Sequence, residues 1–180
     1  YEGISSGVKG ILEDLKNETS RLTGIYGMVA DFIKVDEDNE SVIEIALAEN
    51  AQNIIVETSA DAMKAIDYLR EHNLGKATFM PEEVAHNGFA VPEELMTADG
   101  VECVAVDLVR FKEEHKNLIK HLLGKTVVMD SVTNALKINP SMLHEVTVVT
   151  RDGYIIKRNG MITGGSVQKM GGIISRKNEI

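Results

Sequence analysis

The sequence holds no tryptophan, and aromatic residues make up only 4% of its 180 positions. A core must therefore be assembled from Ile, Val, Leu, Met and Ala, which the 43% hydrophobic content can supply. At this length folding should bury roughly 70% of the unfolded chain's surface. The single cysteine, Cys103, excludes an intramolecular disulfide, and a reducing, cytoplasmic setting is the expectation. No apolar run approaches the roughly 18 residues of a membrane-spanning helix, and no signal-peptide pattern opens the chain, so no membrane contact is expected. Basic charge is also short. With 19 Lys and Arg against 28 Asp and Glu the net charge is −9, which excludes a molecule coated in positive charge. The positive charge that exists is uneven: residues 151–180 hold Arg151, Lys157, Arg158, Lys169, Arg176 and Lys177 against Asp152 and Glu179. That local excess suits a polyanionic partner.

Catalytic signatures are missing too. Neither G-x-x-x-x-G-K-[ST] nor G-x-G-x-x-G occurs. His115 and His121 lie six apart on one helix, off the i, i+4 spacing of a metal pair, and His72, His86 and His144 stand alone. Cys103 alternates with Val104 along a strand and reads as a small core residue, not a nucleophile. The carboxylate pairs Glu82-Glu83, Glu93-Glu94 and Glu113-Glu114 read as solvated faces. No catalytic residue, metal site or cofactor is expected.

Helices and strands alternate in what is present. A helix is expected over 6–22, with Ser5 or Ser6 as its cap and Val8, Ile11, Leu12 and Leu15 inside. Met28 to Val35 reads as β. A helix from Ser41 carries the S-x-x-E capping box with Glu44, and Ile43, Ala46 and Leu47 form its stripe. Ile54-Ile55-Val56 is a buried strand. Ser59 is expected to cap a helix whose inner face holds Met63, Ile66 and Leu69, and Ala77 to Met80 is a strand stopped by Pro81. Residues 81–100 read as a long surface loop. Val101 to Phe111 is a strand. The next helix buries Leu118, Ile119, Leu122 and Leu123, and Thr126 to Met129 is another strand. Ser131 caps a short helix with Val132, Ala135 and Leu136 inward. A meander then runs through 146–150, 154–157 and 161–163, turned at Asp152-Gly153 and Asn159-Gly160, the second read as a type I′ turn. The fold class is mixed α/β: lobe one about 1–80, a connection about 81–100, lobe two about 101–163 and a glycine-rich exit about 164–180.

Glycines mark the chain's two most distinctive stretches. Gly24-Ile25-Tyr26-Gly27 follows the first helix, and Asn159-Gly160-Met161-Ile162-Thr163-Gly164-Gly165-Ser166 ends the meander, with Gly171-Gly172 beyond. A glycine pair at a strand end packs little and admits close approach of another surface. That surface is a phosphate, which would make Thr163 to Ser166 the site of a nucleotide-binding enzyme, the chain's own core, which a pair that packs so little disfavours, or a second protein.

Taken in order, several pieces together resemble the hinge domain of SMC (structural maintenance of chromosomes) proteins. They are Gly7-Val8-Lys9-Gly10-Ile11-Leu12, Gly24 to Asp31, Val42 to Leu47 with Gln52 to Val56, Ala65 to Leu69 with Lys76 to Pro81, and above all Asn159 to Ser166. The family implies a non-catalytic module that forms a ring-like homodimer at the far end of long coiled-coil arms from an ATPase head. The arms would attach before residue 1 and after residue 180. The family implies a dimer interface at Gly24, Gly27, Gly164, Gly165, Gly171 and Gly172, and main-chain pairing of an edge strand with few bulky side chains adds Met161, Ile162 and Thr163 to it. It also implies weak, salt-dependent DNA contact, for which Lys157, Arg158, Lys169, Arg176 and Lys177 are the candidates, and a nucleoid location with a role in chromosome condensation and segregation.

Overall fold

Ser5 starts the first helix as its position suggests, accepting the Val8 N–H on its hydroxyl at 3.4 Å. The computed structural model describes residues 3–86, 89–165 and 172–174. They divide into two compact units, 1–32 with 49–85, and 33–48 with 86–180.

In the first unit, α1 (Ser6–Leu15) buries Val8 and Ile11 and stops well short of residue 22. Asn17 ends it: its side-chain oxygen accepts the Thr19 N–H at 3.1 Å, a local bond that competes with the helix ladder. The strands β1 (Ile25–Met28), β3 (Ile54–Val56) and β4 (Phe79–Pro81) form a sheet in the order β1-β3-β4. β1 runs antiparallel to β3, and β3 runs parallel to β4. Pro81 is tolerated because β4 is an edge. The expected strand from Met28 to Val35 is broken after Met28, where the Asp31 carboxylate accepts the Met28 N–H at 3.3 Å and a 3-10 turn covers Val29–Phe32.

Helix α3 (Ser59–Glu71) is capped by Thr58, not Ser59. Thr58 and Asp61 form a reciprocal capping box, so one position earlier satisfies two otherwise free N–H groups. The buried stripe is Ala62, Ala65 and Leu69, while Met63 is 55% exposed and faces solvent. Small side chains on that stripe suit a helix packed against both α1 and the sheet.

In the second unit, β2 (Lys34–Val35) pairs with β6 (Val109–Arg110), and Arg110 pairs with Asp36. This ladder places 33–48 with the second unit, a division the sequence-based lobe boundary near 80 misses. Helix α2 (Glu40–Leu47) begins before Ser41, after a 3-10 turn at Glu37–Asn39, and the Ser41–Glu44 box does not form. The Glu44 carboxylate instead accepts the backbone N–H of Ile174.

The stretch 81–100 is more than a loop: α4 (Glu93–Met96) inserts Leu95, with no exposed surface, into the core. The strand expected over 101–111 splits into β5 (Val101–Val104), a 3-10 turn at Ala105–Leu108, and β6. Helix α5 (Lys116–Leu123), strand β7 (Thr126–Met129) and helix α6 (Val132–Ala135) follow, α6 capped by Ser131 as expected. Leu136, expected inside, is 61% exposed because α6 ends before it. The meander forms as β8 (Thr147–Thr150), β9 (Ile155–Ile156) and β10 (Ile162–Thr163), giving a sheet ordered β10-β9-β8-β7-β5. Its centre, β7 beside a parallel β8, is covered on both faces: Val127, Met129 and Val148 join Leu95 and Ala135, while Val128 and Val149 are equally buried on the other side. Among the described residues no helix is long and apolar enough to cross a membrane.

Candidate functional site

The glycine-rich end of the meander is an exposed sheet edge. Lys157 donates its N–H to Met161 O at 2.9 Å, and Gly160 N–H reaches Lys157 O at 2.8 Å. Gly160 has φ +85 while Asn159 keeps a negative φ, so this is a three-residue turn with a bulged glycine and not the type I′ turn expected. The hairpin at Arg151–Gly153 repeats it: Gly153 has φ +96, and Thr150 N–H bonds Tyr154 O at 2.9 Å. The two-residue turn fails because nothing holds Asn159 left-handed; its side chain accepts the Met161 N–H at 3.1 Å instead.

Pairing then runs Ile162↔Ile156 and Thr163↔Ile155. Antiparallel pairs alternate between bonded and non-bonded, so with 157 and 161 bonded the N–H and C=O of Ile162 point away from β9, along the open edge. Met161 is 64% exposed and Ile162 52% exposed on this edge. A Cβ on Gly164 would lie 2.6 Å from the Tyr154 ring, so this glycine serves its own lobe's packing. Gly165, at φ +138, has open space around it. Gly172 is exposed, with the Glu44 carboxylate where a Cβ would go; Gly171 lies outside the described residues.

The other glycine stretch forms the edge strand β1 of the first unit. Gly24 has φ +66 and Gly27 φ +138. The register slips between Ile25 and Gly27, leaving Tyr26 as a bulged residue 47% exposed. Desolvation first, then the charges of Glu57, Glu82 and Asp61, push the Tyr26 phenol above its usual pKa. The Asp61 carboxyl is held low, first by the Thr58 hydroxyl and next by that of Thr23.

Of the basic candidates, Lys157 and Arg158 are exposed beside β10, and Lys169, Arg176 and Lys177 lie outside the described residues. The folded second unit adds two cations that no sequence spacing signals. Lys120 near the end of α5 and Lys125 just past it share with Arg158 a cleft of about 370 Å³. His86, read as isolated, and His121, read only as a helix histidine off metal-pair spacing with His115, meet edge to face there with ring centres 5.5 Å apart. Among the described residues no group of three His, Cys, Asp or Glu is placed to hold a metal ion. Cys103 is half-buried, and burial, followed by Asp107 and Glu102, raises its thiol pKa, which makes it a poor nucleophile.

This arrangement has close counterparts. The chain matches a family model described as the SMC proteins flexible hinge domain over residues 22–139. It is 34% identical to the chromosome partition protein Smc of Desulfitobacterium hafniense over 181 aligned positions, covering 99% of this chain and 15% of that protein's length. The hinge domain of Geobacillus stearothermophilus SMC, solved as an asymmetric dimer, superposes with a TM-score of 0.86 at 30% identity, covering 99% of this chain and 71% of that one. A Pyrococcus furiosus Smc hinge domain with an extended coiled coil gives a TM-score of 0.72 at 33% identity, covering 96% of this chain and 62% of that one. With the family model spanning the first sheet together with β5 and β7 of the second, and the solved hinges matching the fold nearly end to end, this chain belongs to the SMC flexible hinge domain family.

Proposed function

We propose that this module joins two copies of its chain, with the open β10 edge of one copy pairing with the glycine-flanked β1 edge of the other. The observation that carries it is the outward N–H and C=O of Ile162 on an edge strand with exposed apolar side chains, a template for main-chain pairing. Charge supports this pairing, since Lys157 and Arg158 flank β10 while Glu57, Glu82 and Asp61 surround β1. By likeness to the relatives, the two copies carry coiled-coil arms, ATP hydrolysis sits in a separate head domain, and the assembly works on the nucleoid in chromosome condensation and segregation.

Replacing Ile162 with proline tests the pairing. It removes one outward N–H and leaves the β9–β10 bonds intact. The wild-type chain should sediment as a dimer at micromolar concentration, and Ile162→Pro as a monomer with an unchanged far-UV circular dichroism spectrum. A monomeric wild type, or a dimeric variant, overturns the reading.

A second reading, weak and salt-dependent contact with DNA, is favoured by the cleft where Lys120, Lys125 and Arg158 converge. Neither Lys120 nor Lys125 pairs with a carboxylate among the described residues, and Lys125, over the Phe89 ring at 4.9 Å, keeps its full charge for a phosphate.

A further inference from the structure

An apolar groove of about 340 Å³ opens beside β10. Leu136, Ile138, Leu143, Ile156 and Ile162 line it, together with Lys157 and Arg158. Leu136 and Ile162 are both more than half exposed there, at 61% and 52%. On the first unit, the bulge in β1 turns one aromatic side chain out of its own core. Pairing passes from Ile25↔Val56 to Gly27↔Ile55 and skips Tyr26. A bulge is a device for re-aiming a side chain, and a tyrosine left half in solvent forgoes a large apolar contact.

We propose that Tyr26 of each copy seats in this groove of the other copy and acts as the anchor of the dimer. The inference rests on the dimer reading above and goes further by naming the side chain and its receptor. Their chemistry matches. A phenol ring suits a lining of Leu and Ile, and its hydroxyl suits the Lys157 and Arg158 that share that lining. The charges match as well. Neither Lys157 nor Arg158 has a carboxylate partner among the described residues, and neither Glu57 nor Glu82 beside Tyr26 has a cationic one. Seating Tyr26 brings these two unpaired sets together, a complementarity that also rejects a copy docked in the wrong orientation. The groove is continuous with β10, so one contact surface holds both the strand edge and the anchor.

The test uses the 180-residue chain in a Cys103→Ser background. One preparation carries Tyr26→Cys and another Leu136→Cys. Mixed and oxidised, they should give a disulfide-linked pair on a non-reducing gel. A Met63→Cys chain mixed with the Leu136→Cys chain should not, because Met63 is equally exposed but lies on α3. In parallel, Tyr26→Ala should weaken dimerisation by about 30-fold or more, the effect of losing an aromatic hot spot, with its melting temperature measured to show that the fold survives. If the wild type dimerises, no excess cross-linking over the Met63→Cys control together with an unchanged dimer affinity of Tyr26→Ala overturns the anchor and leaves the strand pairing standing. A wild type that stays monomeric overturns both.

Discussion

The Asp61 carboxylate fills the space that a side chain on Gly24 would need, although the two residues lie on β1's approach and on α3. The contact joins three needs: Gly24 turns at φ +66, Asp61 closes the capping box with Thr58, and Thr23 donates its hydroxyl to Asp61 Oδ1 at 2.9 Å. A glycine expected at a dimer interface is thus required inside its own lobe.

Gly24→Ala should therefore destabilise the chain itself. A non-glycine residue in such backbone costs on the order of 1–3 kcal/mol, and displacing Asp61 adds to it. Urea denaturation should show the loss whether or not the chain dimerises.

The capping residue separates two neighbours. Thr58→Ala should cost about 1 kcal/mol in denaturant unfolding, and Ser59→Ala should stay within about 0.5 kcal/mol. The reverse order would return the cap to Ser59.

Asp61 also sets a pH dependence. Its folded pKa lies below its ordinary value of 3.8, so the unfolded chain binds the proton first as pH falls. The stabilisation is complete above 3.8 and is lost as pH drops through the lower folded value. Asp61→Asn should melt below the wild type at pH 7, with the gap closing toward pH 3 (about one unit below that ordinary value).

Leu95 tests the stretch 81–100. Fully buried on α4, it should cost about 2–5 kcal/mol when cut to alanine. Met63→Ala, at an exposed site on α3, should cost under about 1 kcal/mol.

DNA contact has a salt signature. Titrating duplex DNA by fluorescence anisotropy between about 50 and 200 mM salt should give a negative log–log slope. Lys120→Glu and Lys125→Glu should each flatten it by about one, the effect of losing one phosphate contact. An unchanged slope removes the cleft from the DNA surface.

Local chemistry was the legible part of this protein. Ser5 and Ser131 cap helices in the structure because a hydroxyl beside its own N–H groups needs no distant partner. Ile54 to Val56 and Thr126 to Met129 are strands because their continuous apolar runs have to be buried on both faces. The exposed glycine-rich edge at Met161 to Gly165 was visible for the same reason, since residues that pack poorly mark where a core ends. The Ser41–Glu44 box was a local signal that lost, because Glu44 is occupied by the N–H of Ile174, far along the chain.

The sequence by itself determined the mixed α/β class, most strand positions and, through its ordered motifs, the family. These depend on residues near one another in the chain, whose hydrogen bonds and periodicity are set within a few positions. Only the tertiary structure decided that 33–48 packs with the second unit, that Tyr26 is bulged outward, that Gly164 sits over the Tyr154 ring, and that Lys120 and Lys125 join Arg158 in one cleft. Each depends on which distant segments the buried sheets bring together. That is a property of long-range pairing, such as Lys34 with Arg110, which no local pattern encodes.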